Sequence, residues 1–295
     1  MIKTLVTGGA GFIGSHISEK LLEDGHEVGI IDDFSTGEQK PKGANIITGS
    51  ILDKDTLSKA FQDVEIVFHQ AAQVSVPESV KNPEFTKKVN VEGTKNVLDM
   101  ALRKNVKKVI FASSAAIYPD VKYPVKENEE TDPQNPYGES KKEAEDLMHA
   151  YSGENGLETV CLRYFNVYGP RQQSGVVSIF LKNALGPKII KIYGDGKQTR
   201  DFIHVSDVVR ANMKAAFSKT SGESFNIATG KGTALLDLVS AIEKTSGKTL
   251  KLEFNDEREG DIRYSCAIVS KAEEVLGFKA AVGLEDGLRK TFSMI

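Results

Sequence analysis

The feature that most restricts the fold lies at residues 7–14. Thr7-Gly8-Gly9-Ala10-Gly11-Phe12-Ile13-Gly14 separates a short apolar run, Lys3 to Thr7, from a segment in which Ile13, Ile17, Leu21 and Leu22 share one helical face. A glycine-rich turn between a buried strand and a helix reads as a phosphate cradle. Its backbone turns tightly and approaches an anion closely, and the first N–H groups of the helix stand unpaired beyond it. Val28 to Ile31 forms a second apolar run, closed by Asp32. That acid follows Gly14 by 18 residues, close to the roughly 20-residue spacing of a ribose-binding carboxylate. It would accept from a ribose 2′-OH and repel a 2′-phosphate, and Asp33 adds to the repulsion. Gly8, Gly11, Phe12, Ile13 and Gly14 with Asp32 and Asp33 therefore predict a dinucleotide site that prefers NAD to NADP.

The alternation continues along the chain. Ile46-Ile47, Val64 to Phe68, Val109 to Ala112 and Thr159 to Leu162 read as strands, and 53–61, 83–104 and 137–151 as helices. Strands that are apolar throughout and alternate with helices predict an α/β fold, a Rossmann-type doubly wound parallel sheet covered on both faces. Beyond Gly169-Pro170 the pattern is less regular. The expected division is a dinucleotide-binding domain at 1–168, rejoined by 201–217, and a smaller C-terminal α/β substrate domain at 169–295. The 295 residues suit two domains at roughly 150 residues each. A net charge of −3, from 38 basic and 41 acidic residues, leaves no basic excess for nucleic acid. Two cysteines are too few for a disulfide framework. No run approaches the ~18 apolar residues of a membrane span, and the first residues reach glycine too early for a signal peptide. The expectation is a cytoplasmic protein without nucleic-acid or membrane partners.

Tyr137 and Lys141 stand at i and i+4, neighbours on one helical face. A free phenol has a pKa of about 10, and bringing it to 7 takes about 4 kcal/mol of differential stabilisation. A nearby ammonium favours the phenolate. Ser113-Ser114 ends the preceding strand and adds a hydroxyl at the sheet edge where α/β folds bind ligands. Ser114, Tyr137 and Lys141 are thus the candidate catalytic groups. No metal-ligand cluster is read from the sequence. His69, at the end of an apolar strand, is read as structural.

The glycine turn, the serine and Tyr-x-x-x-Lys together resemble the extended short-chain dehydrogenase/reductase superfamily, and more closely the sugar-nucleotide epimerases related to UDP-glucose 4-epimerase. The resemblance runs nearly end to end. It includes His69-Gln70-Ala71-Ala72-Gln73, Asn90-Val91-Glu92-Gly93-Thr94, Arg163-Tyr164-Phe165-Asn166-Val167-Tyr168-Gly169-Pro170-Arg171, Gln198-Thr199-Arg200-Asp201-Phe202 and Arg258-Glu259-Gly260-Asp261. It implies Tyr137 as the base for a sugar hydroxyl, Ser114 as proton relay, and Lys141 on the nicotinamide ribose, lowering the Tyr137 pKa. It places Ala71, Ala72 and Asn90 along NAD, Tyr164 and Phe165 at its nicotinamide end, and Asn166 at the sugar diphosphate. Arg200 and Arg258 would clamp the phosphates, with Asp261 nearby, and Lys191 to Tyr193 would border the uracil.

Three departures qualify the match. Ser50 stands where the family often has an acid for the adenine amino group, so adenine would be held by backbone near Ile51. The loop after Arg171 is short. Ala115-Ala116 follow Ser114, where related dehydratases and decarboxylases carry acids. The implied activity is NAD-dependent 4-epimerisation of a UDP-hexose through a transient 4-keto sugar, in a homodimer packed through 84–104 and 137–151. Ser265, small where plain-hexose enzymes tend to have tyrosine, extends the expected range to UDP-N-acetylhexosamines. Another nucleotide-sugar epimerase or reductase, such as a uronate epimerase, and a non-catalytic NAD sensor remain the alternatives.

Overall fold

The computed structural model describes residues 1–186, 189–257 and 262–295. Among these, the strands in chain order are β1 (Lys3–Thr7), β2 (Glu27–Asp32), β3 (Asn45–Thr48), β4 (Ile66–His69), β5 (Lys108–Ser114), β6 (Glu158–Tyr164), β7 (Asn166–Tyr168), β8 (Ile190–Tyr193), β9 (Thr199–His204), β10 (Glu223–Ile227), β11 (Gly232–Ala234) and β12 (Leu252–Asn255). The α-helices are α1 (Phe12–Glu23), α2 (Lys54–Ala60), α3 (Val76–Lys81), α4 (Pro83–Lys87), α5 (Gly93–Arg103), α6 (Pro136–Asn155), α7 (Val176–Leu185), α8 (Val205–Ala216), α9 (Leu235–Ser246), α10 (Ser270–Leu276) and α11 (Leu284–Phe292). Seven strands form one sheet in the order β10-β6-β5-β4-β1-β2-β3, parallel at every pairing. The chain winds outward from β1 to β3, returns to the other side of β1 for β4, and so opens a crevice at the strands' C-terminal ends.

Side-chain alternation along the strands builds two cores. Leu5, Ile31, Val67, Val109 and Phe111 pack with Leu57 of α2, Val97 and Leu98 of α5, and Ala144 and Met148 of α6. Val6, Ile30, Phe68, Ile110 and Leu162 point the other way, onto Ile17 and Leu21 of α1, Val208 and Ala211 of α8, and Leu276 of α10. A third core joins α7, α9 and α11 through Phe180, Leu181, Leu238, Ile242 and Leu288, with Ile190, Ile192 and Phe202 from β8 and β9. The remaining strands pair as β11-β9-β7 and β12-β8.

Three features differ from the reading of the sequence. β10 lies in the stretch expected to belong wholly to the smaller domain, yet it pairs with β6 and puts Phe225 and Ile227 into the sheet core. The helix expected over 83–104 is interrupted by a π turn at Lys88–Glu92. Its wider winding turns the buried Asn90 toward the 70–75 loop, where it holds Gln73 at both backbone N and O. Val76–Lys81 forms a helix that the sequence pattern does not display, capped by Ser75, which accepts from Glu78 N.

The glycine turn depends on a close approach. Gly8 adopts φ +69°, and a Cβ on Gly14 would stand 2.1 Å from the Gly8 carbonyl oxygen. Gly14→Ala must therefore push the start of α1 away from the turn. The expected cost is about 1–3 kcal/mol of stability, with loss of NAD binding. Urea unfolding with a wild-type midpoint would show that the turn tolerates the methyl group.

Candidate active site

One cleft of about 870 Å³ crosses the C-terminal ends of β1, β2, β4, β5 and β6. At one end it is lined by the turn residues Gly8, Gly11, Phe12, Ile13 and Gly14, by Asp32 and Asp33, and by Ser50 and Ile51 beyond β3. Ala71 and Ala72 line its middle; Ser114, Tyr137, Lys141, Tyr164 and Asn166 line the far end. Asp32 accepts from Ala10 N at 2.9 Å and Phe34 N at 2.8 Å, which leaves a lone pair on each oxygen for ribose hydroxyls. Burial pushes its carboxyl up from the ordinary range, and those two bonds oppose the rise. Glycine positions that a Cβ would fill, a helix N-terminus behind them and a carboxylate in register fit a dinucleotide.

Asn135 caps α6 by accepting from Gly138 N at 3.0 Å, and Pro136 starts the helix, so Tyr137 enters the cleft from the first turn. Gly138 is needed there, since a Cβ would meet the Ala116 carbonyl at 2.3 Å. The register of β5 with β6 sets Ser114 opposite Tyr164. Burial raises the Tyr137 phenol, and a hydrogen bond with the Ser114 side chain pulls it the other way. This differs from the expected lowering by Lys141. The ammonium, only 3% exposed, donates to Ala112 O at 2.9 Å and sits 4.9 Å from the centre of the Phe111 ring. Burial lowers Lys141 to about 7.

His69 is structural, as expected. It is buried between Thr7 Oγ1 at 2.7 Å and Thr94 Oγ1 at 2.9 Å, and Thr94 in turn donates to Asn90 O. Burial, aided by Lys141, brings it to about 3, so it stays neutral. Other expected residues lie away from the cleft. Asn90 spends its amide on Gln73 and Ser140, and so holds the lining loop rather than lining it. Tyr193 and Arg200 are half-buried at the end of β8 and on β9, with Arg200 donating to Thr199 O at 2.9 Å. Ser265 borders a small neighbouring cavity with Ala115, Tyr118 and Phe165, and Phe165 also lines the main cleft. Arg258 and Asp261 lie outside the described residues. The sequence reading missed the Ser35–Gln39 loop, where a Cβ on Gly37 would stand 2.3 Å from Ala10 O, and the 172–177 segment across the cleft.

The profile of the NAD dependent epimerase/dehydratase family matches residues 4–228. The chain belongs to this family. A putative UDP-glucose 4-epimerase of Methanocaldococcus jannaschii is 42% identical to it over 97% of this chain and 96% of that protein. The crystal structure of UDP-glucose 4-epimerase from Thermotoga maritima with UDP-glucose superposes with a TM-score of 0.97 at 39% identity, covering 99% of this chain and 98% of that one. The UDP-N-acetylglucosamine 4-epimerase of Methanobrevibacter ruminantium, in complex with UDP-N-acetylmuramic acid, gives 0.94 at 36% identity, covering 99% and 97%. Like its family, this chain uses NAD.

A buried lysine at about 7 has a consequence for stability. Its folded pKa lies below its unfolded value, so between pH 7 and about 10 the unfolded chain holds more protons and stability rises with pH. In protein stripped of dinucleotide, the difference in unfolding free energy between wild type and Lys141→Met should climb through that window. A difference independent of pH would mean that Lys141 is not depressed.

Proposed function

We propose that the protein is a 4-epimerase of a UDP-hexose, interconverting UDP-glucose and UDP-galactose. The observation that carries this reading is the convergence of Ser114, Tyr137 and Lys141 at the far end of a cleft whose near end fits the dinucleotide. Bound NAD would supply the acceptor and donor for the sugar C4 hydride. Tyr137, as phenolate, takes the proton of the 4-OH, with the Ser114 hydroxyl bridging sugar and phenol, and returns it to the 4-oxygen once the turned keto sugar presents its opposite face for the returning hydride. Lys141 is a donor for the nicotinamide ribose and, when charged, a cation that would oppose the rise burial gives the Tyr137 phenol. Asn166 and the 172–177 segment hold the diphosphate side, so that the sugar turns while its nucleotide stays fixed. Ala115 and Ala116 put no carboxylate beside Ser114, which disfavours elimination and decarboxylation on this scaffold.

Residues 1–168, with the returning 201–217 and β10, serve the dinucleotide, and the rest of 169–295 serves the nucleotide sugar. Arg200, Arg258, Asp261 and Tyr193 belong to that second part. The same reading takes the protein as a cytoplasmic homodimer joined through 84–104 and 137–151, where Phe85 is 47% exposed at the start of the first segment. A net charge of −3, with no basic excess, and the nature of the ligands make nucleic acid and membranes foreign to it.

Incubation with UDP-galactose, without added NAD, should yield UDP-glucose. Failure to do so in dinucleotide-loaded protein would overturn the assignment. Tyr137→Phe removes only a hydroxyl and should lower kcat at least about 10²-fold while leaving NAD binding intact; retention of a tenth of the wild-type rate would remove Tyr137 as base. Asp32→Ser should raise NADP affinity relative to NAD, because the repelling charge is gone; an unchanged ratio would place the ribose elsewhere. Ser265 suggests a second substrate class through family likeness, since it is small where plain-hexose enzymes tend to have tyrosine, and the cavity it borders shares Phe165 with the cleft. Ser265→Tyr should abolish turnover of UDP-N-acetylgalactosamine and spare UDP-galactose. Equal loss on both would show that Ser265 is no gate.

A further inference from the structure

One side of α6 carries Tyr137, Lys141 and Glu145 at successive four-residue intervals. The last is 2% exposed and bound on every side. Its Oε1 accepts from Arg163 Nη2 at 2.5 Å, Arg163 Nε at 3.0 Å and Ser224 Oγ at 2.7 Å, and its Oε2 accepts from Ser113 Oγ at 2.5 Å. The Arg163 guanidinium also donates to Tyr118 Oη at 2.6 Å and Glu127 O at 2.8 Å, and Tyr118 donates to Asn226 Oδ1 at 2.7 Å. Glu145 therefore ties the helix to β5, β6 and β10 directly behind Ser114. Lys141, one turn nearer the cleft, has a main-chain oxygen and an aromatic ring as partners.

We propose that Arg163 and Ser113 act as positioning residues for Lys141, occupying Glu145 so fully that the carboxylate cannot draw the lysine out of the cleft. A lysine and a glutamate at i and i+4 on a helix stand about 5–6 Å apart at Cβ and pair readily. In a buried setting that pairing is strong, because little water competes with it. Freed of Arg163, Glu145 would neutralise Lys141, swing the ammonium away from Ala112 O, and leave Tyr137 without its nearby cation. Burial opposes ionisation of Glu145, but His149 and Arg163 hold its carboxyl well below the usual range, so it is an anion throughout neutral pH. The titratable groups facing the stripe are His69 from β4, Cys161 and Arg163 from β6, Tyr118 and Glu127 from the segment after β5, and Tyr137, Glu145 and His149 on α6 itself. His69 is neutral, and Arg163, with Nη2 at 2.5 Å from Glu145 Oε1, is the nearer of the two groups on it, His149 Nε2 standing at 3.7 Å.

The proposal rests on Lys141 serving the activity above, but it is read first on the lysine alone. Trace labelling with acetic anhydride across pH, followed by peptide mass spectrometry, gives the midpoint of Lys141 in dinucleotide-free protein without any substrate. In Arg163→Met the midpoint should rise by about one unit or more. In the double variant Glu145→Gln/Arg163→Met, where no carboxylate remains to pair, it should return to the wild-type value. Should Arg163→Met fail to fold, Ser113→Ala takes the short bond from Oε2, leaving only Arg163 Nε on it at 3.3 Å, and should give a smaller rise. The turnover of UDP-galactose should follow the same pattern, with kcat reduced about tenfold or more in Arg163→Met and KM little changed. A midpoint that stays put in the folded single variant, or rises equally in the double variant, overturns the proposal. Absence of epimerase activity in the wild type would instead overturn the assigned reaction, and the Lys141 titration alone would then decide the positioning role.

Discussion

The contact on which most of the structure depends is a methyl group that is not there. With hydrogen at Gly14, the first turn of α1 lies against the Gly8 carbonyl, and the N-terminus of that helix comes to the end of β1. The same closeness brings Ala10 N to Asp32, so the turn and the end of β2 are joined by a hydrogen bond before any ligand arrives. Gly37 then packs its backbone on Ala10 O. Phosphate cradle, ribose acid and the loop that flanks them are one rigid piece, and rigidity of this kind spares a ligand the entropy of ordering its own site.

The opposite end of the cleft is organised by a helix rather than by a turn. α6 runs beside the ends of β5 and β6, and its buried stripe changes character every turn, from phenol to ammonium to carboxylate. Each group is satisfied by a different strand feature: Ser114, the Ala112 carbonyl, then Arg163 with Ser113. A buried ion pair such as Glu145–Arg163 is seldom a large source of stability, because desolvation offsets most of the attraction. Its value lies in direction, since a guanidinium fork admits few geometries and so fixes the helix against the sheet.

Much of this was legible in the sequence. The apolar strands, the glycine turn, Asp32 and the Tyr137–Lys141 pair are local patterns, and local patterns are what a linear chain displays. The parallel sheet and the cleft-lining positions of Ser114, Tyr164 and Asn166 followed from them and from family likeness. What could not be read was what distant residues do to one another. Nothing near Asn90 announces that its amide will be consumed by Gln73 and Ser140. The π turn that makes this possible needs one residue more than an α-helical period allows. Glu145 stands four residues beyond Lys141, but nothing in the sequence singles it out, because its meaning depends on Arg163, brought alongside by the pairing of β6 with β5. The pKa of Tyr137 departs from expectation for a similar reason: sequence spacing shows the nearby cation, whereas burial, which raises the phenol, is a property of the folded whole.

The placement of β10 bears on how the chain is made. Synthesis delivers β1 to β6 first, and N-terminal segments fold as they emerge. Until residues 223–227 have left the ribosome, β6 is a bare edge with unpaired backbone groups, and Glu145 lacks the Ser224 hydroxyl that closes its shell. Such an edge is an invitation to other nascent chains. The nascent protein thus carries an open sheet edge beside the buried Glu145–Arg163 pair. The late strand acts as a zip fastener: the sheet becomes a closed object only when the last third of the chain turns back to cover it.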